Sequence, residues 1–157
     1  MELMPIESDP NISAHTGPDR IFFCAFAAGT VFKRRGGKAV VKAHYYQAAT
    51  AAASNLAGFA EVEEVGTANG KPVSVGAGDI LPVNFALEKA FVFPTTGRTA
   101  VVADIGKDYD LYVDGSGVQY VDLGASNQGV LRVSQIVTKD ANWVACAVPP
   151  GKRYGNL

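Results

Sequence analysis

Charge is scarce in this chain. Lys, Arg, Asp and Glu make up 18% of 157 residues, and 14 basic side chains nearly cancel 15 acidic ones. A formal sum of −1 supplies no broad electropositive field, which argues against nucleic acid as a direct ligand. Charge this close to zero also does little to hold copies of the chain apart. Cysteine is limited to Cys24 and Cys146, in "FFCAF" and "VACAV". Neither belongs to a CxxC pair, so there is no zinc pattern and no disulfide framework. They read as buried free thiols packing like small hydrophobes, or as a pair across adjacent strands. No apolar run reaches the roughly 18 residues a membrane-crossing helix needs. The opening "MELMPIESDP" is acidic and broken by proline, without the basic-then-apolar order of a secretory signal. The glycosylation pattern at Asn11 is therefore read as chance.

Catalytic signatures are equally thin. Histidine occurs twice, as His15 and as His44 in "KAHYYQ", and neither is near an elbow-type serine. G-x-S-x-G is absent; "VSVGAGD" places Ser74 outside that pattern. "RRGGK" and "GTANGK" set glycine beside basic residues, yet no segment follows the phosphate-loop spacing.

What the chain does have is glycine, 17 of them, and many short apolar runs. Residues 1–20 carry Pro5, Pro10, Gly17 and Pro18 and read as an extended N-terminal arm. Residues 21–150 read as one compact β domain, and 151–157 as an exposed polar tail. Strands are expected over residues 21–27, at the start of "IFFCAFAAGTVFKR", and at "KAVVKAHYYQ". The alanine-rich 48–58 is either a short helix ended by Gly58 or a loop. "FAEVEEV" has strand-like alternation, and Asn69-Gly70 signals a hairpin. "KAFVFP" reads as a strand ended by Pro94, "TAVVADI" as a strand and "GKDYD" as a loop. "LYVDGSGVQYVDL" reads as strand, turn and strand; "VLRVSQIV" and "WVACAVP" supply the last two strands. Strands this short, joined every 8–12 residues by Gly, Asn or Asp, predict an all-β fold, a small barrel or sandwich with an N-terminal arm.

Several stretches resemble sites. "DGSG" at 114–117 sets acid beside glycine, but an aspartic-protease run wants the hydroxyl residue directly after the acid. A hairpin loop explains it fully: Asp114-Gly115 tolerates positive φ and Gly117 returns the chain to the ladder. Asp104, Asp108, Asp110 and Asp114 cluster in sequence without the spacing of a calcium loop, leaving an irregular calcium site as the alternative. Lys33, Arg34, Arg35, Lys38 and Lys42 form the strongest basic run. It reads as a solvated turn, or as a contact with acidic residues of a neighbouring subunit. Of the aromatic residues, most are expected in the core; one of Tyr45 and Tyr46, or Trp143, could anchor an interface.

The order of pieces resembles the head-decoration, or capsid cement, proteins of bacteriophages. The resemblance is carried by "NLAGFAEVEEVGTANGKPVSVGAGDILPVNF" (55–85) and "GVQYVDLGASNQGVLRVSQIV" (117–137), through glycine and valine spacings after an extended arm. The chain departs in its longer "HYYQAATAAASN" connection and its aromatic first strand. The resemblance implies a non-enzymatic homotrimeric knob on the outer surface of the virion capsid, assembled in the host cytoplasm, without cofactor, metal or membrane. Its partner would be the major capsid protein, whose subunits it clamps against internal pressure. Contact candidates are Met4, Ile6, Ile12 and His15 in the arm, with Arg34, Arg35 and Lys38 as charge partners. Two readings compete: a phage tail or fibre-associated module binding glycan or protein through an aromatic groove, and an enzyme on a small barrel with a shifted acid or histidine in a cleft.

Overall fold

The computed structural model describes residues 19–68, 71–72, 75–137 and 141–154. Twelve strands follow in chain order: β1 (Ile21–Phe26), β2 (Ala39–Lys42), β3 (Tyr46–Ala48), β4 (Gly58–Ala60), β5 (Thr67–Ala68), β6 (Lys71–Pro72), β7 (Asp79–Asn84), β8 (Phe91–Thr96), β9 (Asp108–Val113), β10 (Gln119–Asp122), β11 (Leu131–Ile136) and β12 (Trp143–Ala147). The chain is all-β, as expected, and builds two closed five-stranded barrels. The first runs β1-β3-β2-β4-β7 and the second β10-β8-β12-β11-β9. β5 pairs with β6 as a separate ribbon. The Asn69-Gly70 turn that would join them lies outside the described residues.

The two barrels share packing, and the strands between them show why their sequences lack a polar face. On β2, Val40 points into the first barrel's core with Phe26, Phe32 and Val83. Its neighbour Ala39 points the other way, into the larger core with Phe91, Phe93, Leu111, Val121 and Val144. β4 repeats this: Ala60 faces the first core, while Phe59 stacks on Phe91 at 4.1 Å and meets Phe93 edge-on at 5.9 Å. A strand buried on both sides reads as a continuous apolar run, because successive side chains serve opposite cores.

One side chain bolts the barrels together. Gln119 of β10 is buried, and its amide inserts where β2 and β3 part. Its Oε1 accepts the Ala39 N–H at 2.7 Å, and its Nε2 donates to the carbonyls of Ala39 (3.0 Å) and Ala49 (3.3 Å). The amide thus completes a ladder rung that the backbones leave open. Gln119→Leu keeps the volume but orphans the Ala39 N–H. We expect a loss of about 2–3 kcal/mol, the cost of unsatisfied buried polar groups, read from urea denaturation midpoints. A change below about 0.5 kcal/mol would show that the amide is not the bolt.

Four sequence expectations are corrected here. "TAVVADI" is not a strand: it is an irregular segment ending in a 3-10 turn, Val102–Asp104. Asp104 bends it by accepting the Val101 N–H at 2.8 Å. "GKDYD" is not wholly loop, since β9 begins at Asp108. Pro94 does not end its strand; β8 continues to Thr96. The Thr95 N–H bonds the Asn142 carbonyl on the β12 side, so by alternation the ring nitrogen of Pro94 faces the β10 side. Pairing with β10 starts only at Thr95, so no ladder bond is lost. "FAEVEEV" contributes only Phe59 and Ala60 to a strand. Of the two readings of the alanine-rich stretch, the loop is the observed one. The described part of the tail, 151–154, is tied to the body: Leu56 N–H donates to Lys152 O, and Tyr154 N–H to Leu56 O.

Candidate functional site

The "DGSG" stretch is a hairpin turn between β9 and β10, whose strands pair from Gln119↔Val113 to Asp122↔Asp110. Asp114 Oδ1 accepts the N–H groups of Ser116 (2.9 Å) and Val118 (3.0 Å), and its Oδ2 accepts the Tyr120 hydroxyl at 3.2 Å. Burial works against the charge of Asp114, but these donors outweigh it and hold the carboxyl below its ordinary range. Gly117 takes φ +94°, the conformation its place in the turn requires.

The other acids of the cluster each turn to a different partner. Asp108 pairs with Arg132 at 2.7 Å. Asp110 caps a loop by accepting the N–H groups of Asn127, Gln128 and Gly129. Asp104 is buried under Arg98 and Tyr109. Among the described residues, no three His, Cys, Asp or Glu side chains converge as they would around a metal ion.

The basic run disperses. Arg34 is exposed and pairs with Glu63 at 2.8 Å. Arg35 lies over the ring of Trp143, 5.3 Å from its centroid. Lys38 is buried; its ammonium donates to the carbonyl oxygens of Gly36 (2.6 Å) and Arg34 (3.4 Å). That burial takes Lys38 out of the exposed contact set and makes it an internal brace of the 33–38 loop. Met4, Ile6, Ile12 and His15 lie outside the described residues. His44 is exposed, with its ring edge-on to Tyr45. Cys24 and Cys146 are both free, one in each barrel, and burial raises both thiol pKa values.

Where Arg35 crosses the second barrel, a groove of about 450 Å³ opens between β8 and β10, lined by Arg35, Pro94, Val118, Tyr120, Asn142 and Trp143. Arg35 covers the tryptophan ring, and only 7% of Trp143 is exposed.

The largest departure from ordinary surface is apolar. Phe22 is 61% and Phe23 74% exposed, beside exposed Ile21 and Ile80. The register explains the grouping. On β1, Cys24 and Phe26 turn into the first barrel; Ile21 and Phe23 turn out, next to Pro82 and Ile80 of β7. Phe22 sits at the barrel mouth against Phe85. A second patch, on the other barrel, comes from the 3-10 turn: Val101, Val102 (79% exposed) and Ile105. Contiguous exposed apolar surface on a rigid framework marks an interaction site. Sequence reasoning missed both patches. The available signal was "IFFCAF" itself, a strand with no polar face, which could equally be buried on both sides.

No protein-family model, no curated protein and no solved structure matches this chain.

Proposed function

We propose that the chain is a non-catalytic shell-binding subunit: a decoration protein that docks on the outside of an icosahedral phage head and bridges neighbouring capsid subunits. The observation that carries this reading is the pair of exposed apolar patches, one on each barrel, held by strands and a capped turn rather than by pliable loops. Two separated contact faces are what a clamp between neighbours needs. Repetition over a shell multiplies modest contacts through effective concentration. The acids support the same reading, since Asp104, Asp108, Asp110 and Asp114 are each occupied by a structural task.

The competing reading, a tail or fibre module for glycan, draws on the Arg35–Trp143 groove. A sugar ring stacks on an open aromatic face, and here Arg35 already occupies that face. The groove therefore supports it less well than the patches support docking.

The test is sedimentation with expanded, undecorated shells of the phage's major capsid protein. The chain should pellet with shells at a saturating ratio. Val102→Asp, at a site too exposed to affect folding, should weaken binding by about tenfold or more. A chain that stays in the supernatant at every concentration would overturn the proposal.

A further inference from the structure

The first barrel closes by a narrow seam. β1 pairs with β7 along its full length, six consecutive residues without a register shift. On its other side β1 meets β3 at one position only, Phe26↔Tyr46. The Arg20 carbonyl bonds Phe85 and the Phe26 carbonyl bonds Gly78, so the even-numbered backbone groups of β1 serve β7. The odd-numbered groups face the seam. There the Ala27 N–H reaches the Tyr46 carbonyl, while among the described residues no strand pairs Ile21 or Phe23. Among the described residues, β1 thus presents a short apolar edge with the donors and acceptors of Ile21 and Phe23 pointing outward.

Exposed edges are usually blunted by charge, proline or a bulge. Ile21–Phe26 contains no charged residue and no proline, and its ladder to β7 has no bulge. An edge this bare invites strand addition.

We propose that the β1 edge is where a second copy of this chain binds, β1 against β1, antiparallel about a two-fold axis near Phe22. Ile21 of one copy then faces Phe23 of the other, clear of the Phe26↔Tyr46 bridge to β3. The segment suits its own image: it is uncharged throughout, so no like charges oppose, and its two unpaired residues each bring one donor and one acceptor. The joined edges would merge two β1–β7 ladders into one continuous sheet. Exposed Phe23 and Ile80 of both copies would lie together on its outer face. The proposal rests on reading the exposed apolar surface as interface, and it assigns the β1 patch to self-contact, so that the two faces a clamp needs become the two Val101–Ile105 patches of the dimer. It implies a dimer rather than the trimer the resemblance implies.

Light scattering should give twice the chain mass of 16.5 kDa at micromolar concentration. Phe23→Lys should raise the dissociation constant at least about 100-fold, because it puts a charge in the edge and removes an aromatic anchor. Ile80→Lys, off the edge but in the same patch, should weaken pairing less. The melting curve of monomeric Phe23→Lys keeps a folding defect from passing as a lost interface. Hydrogen exchange at the Ile21 and Phe23 amides should slow as concentration rises. A monomer at all concentrations overturns the proposal. So does a trimer that Phe23→Lys leaves intact, or edge protection in a monomer that vanishes when residues 1–18 are removed, which would make the chain's own arm the occupant. Dimerisation without shell binding would sink the shell reading alone; shell binding by a strict monomer would sink this one alone.

Discussion

Gly37→Ala is expected to lower the melting temperature by roughly 6–12 °C, through a loss of about 3 kcal/mol. A Cβ built at Gly37 would stand 2.0 Å from Cε2, 2.2 Å from Cδ2 and 2.7 Å from Cζ of Phe93. The ring cannot swing aside: Phe93 is fully buried and packed edge-on against Phe59. Nor can the loop retreat without further loss. The Gly37 N–H donates to the Gln119 carbonyl at 3.0 Å, and a Cβ at the preceding Gly36 would come within 2.7 Å of the Gln119 nitrogen. This loop lies backbone-on-backbone against β10, beside the Gln119 amide that clasps Ala39. Moving the loop loosens both of these hydrogen-bonded contacts, so the cost sits at the upper end for overpacking. Gly115→Ala is the control, since it meets nothing within 4 Å and should change stability by less than about 0.5 kcal/mol. Thermal and urea unfolding of the two variants decide the matter. Equal stability would mean that the barrels are not locked at Gly37.

The same loop shows how far the sequence could be read. "RRGGK" offered glycines and basic residues. Why two glycines were needed depends on Phe93 for Gly37 and on Val118 and Gln119 for Gly36, all more than fifty positions away in the chain, and no local pattern carries that. Lys38 was legible as a charge but not as a buried one, because backbone carbonyls of its own loop hold it. The DGSG hairpin was legible in full, since its turn chemistry is local and Asp114 bonds only residues within six positions. The all-β class followed from strand length and turn spacing. That the strands form two barrels did not, because β2 and β4 owe their double burial to a partner barrel the sequence does not announce. "TAVVADI" misled for a different reason. Its β-branched residues favour a strand, but nearby Arg98, Val101 and Tyr109 all bond Asp104, which turns the chain and leaves Val102 in solvent. As for the site, the arm residues lie outside the described residues, Arg34 and Arg35 meet internal partners, and the apolar patches come from strand register in one barrel and a 3-10 turn in the other.

Asp104→Asn is expected to cost about 2–3 kcal/mol at pH 7, less than a fully buried ion pair because Arg98 keeps 43% of its side chain exposed and solvent screens that end. The carboxylate itself is buried and receives four donors: both terminal nitrogens of Arg98 (2.6 and 2.8 Å), the Tyr109 hydroxyl and the Val101 N–H. The Arg98 fork holds the Asp104 carboxyl well below the usual carboxylate range. Burial pushes the other way, and the hydroxyl and the backbone N–H reinforce the lowering. A depressed folded-state pKa fixes the sign. The charged network contributes its full stability above the unfolded carboxyl value of about 3.9 and loses it as pH falls from there toward the folded value. The stability difference between the native chain and Asp104→Asn should therefore be widest above about pH 5 and should shrink toward pH 2. Urea midpoints at pH 7, 4 and 2.5 measure it, and a difference that stays constant would show that the network works by shape rather than charge. The turn also carries the proposed shell contact. Asp104 fixes the bend that presents Val101, Val102 and Ile105, so Asp104→Asn should weaken the proposed shell binding at neutral pH while leaving the proposed β1 pairing untouched, because the β1 edge belongs to the other barrel.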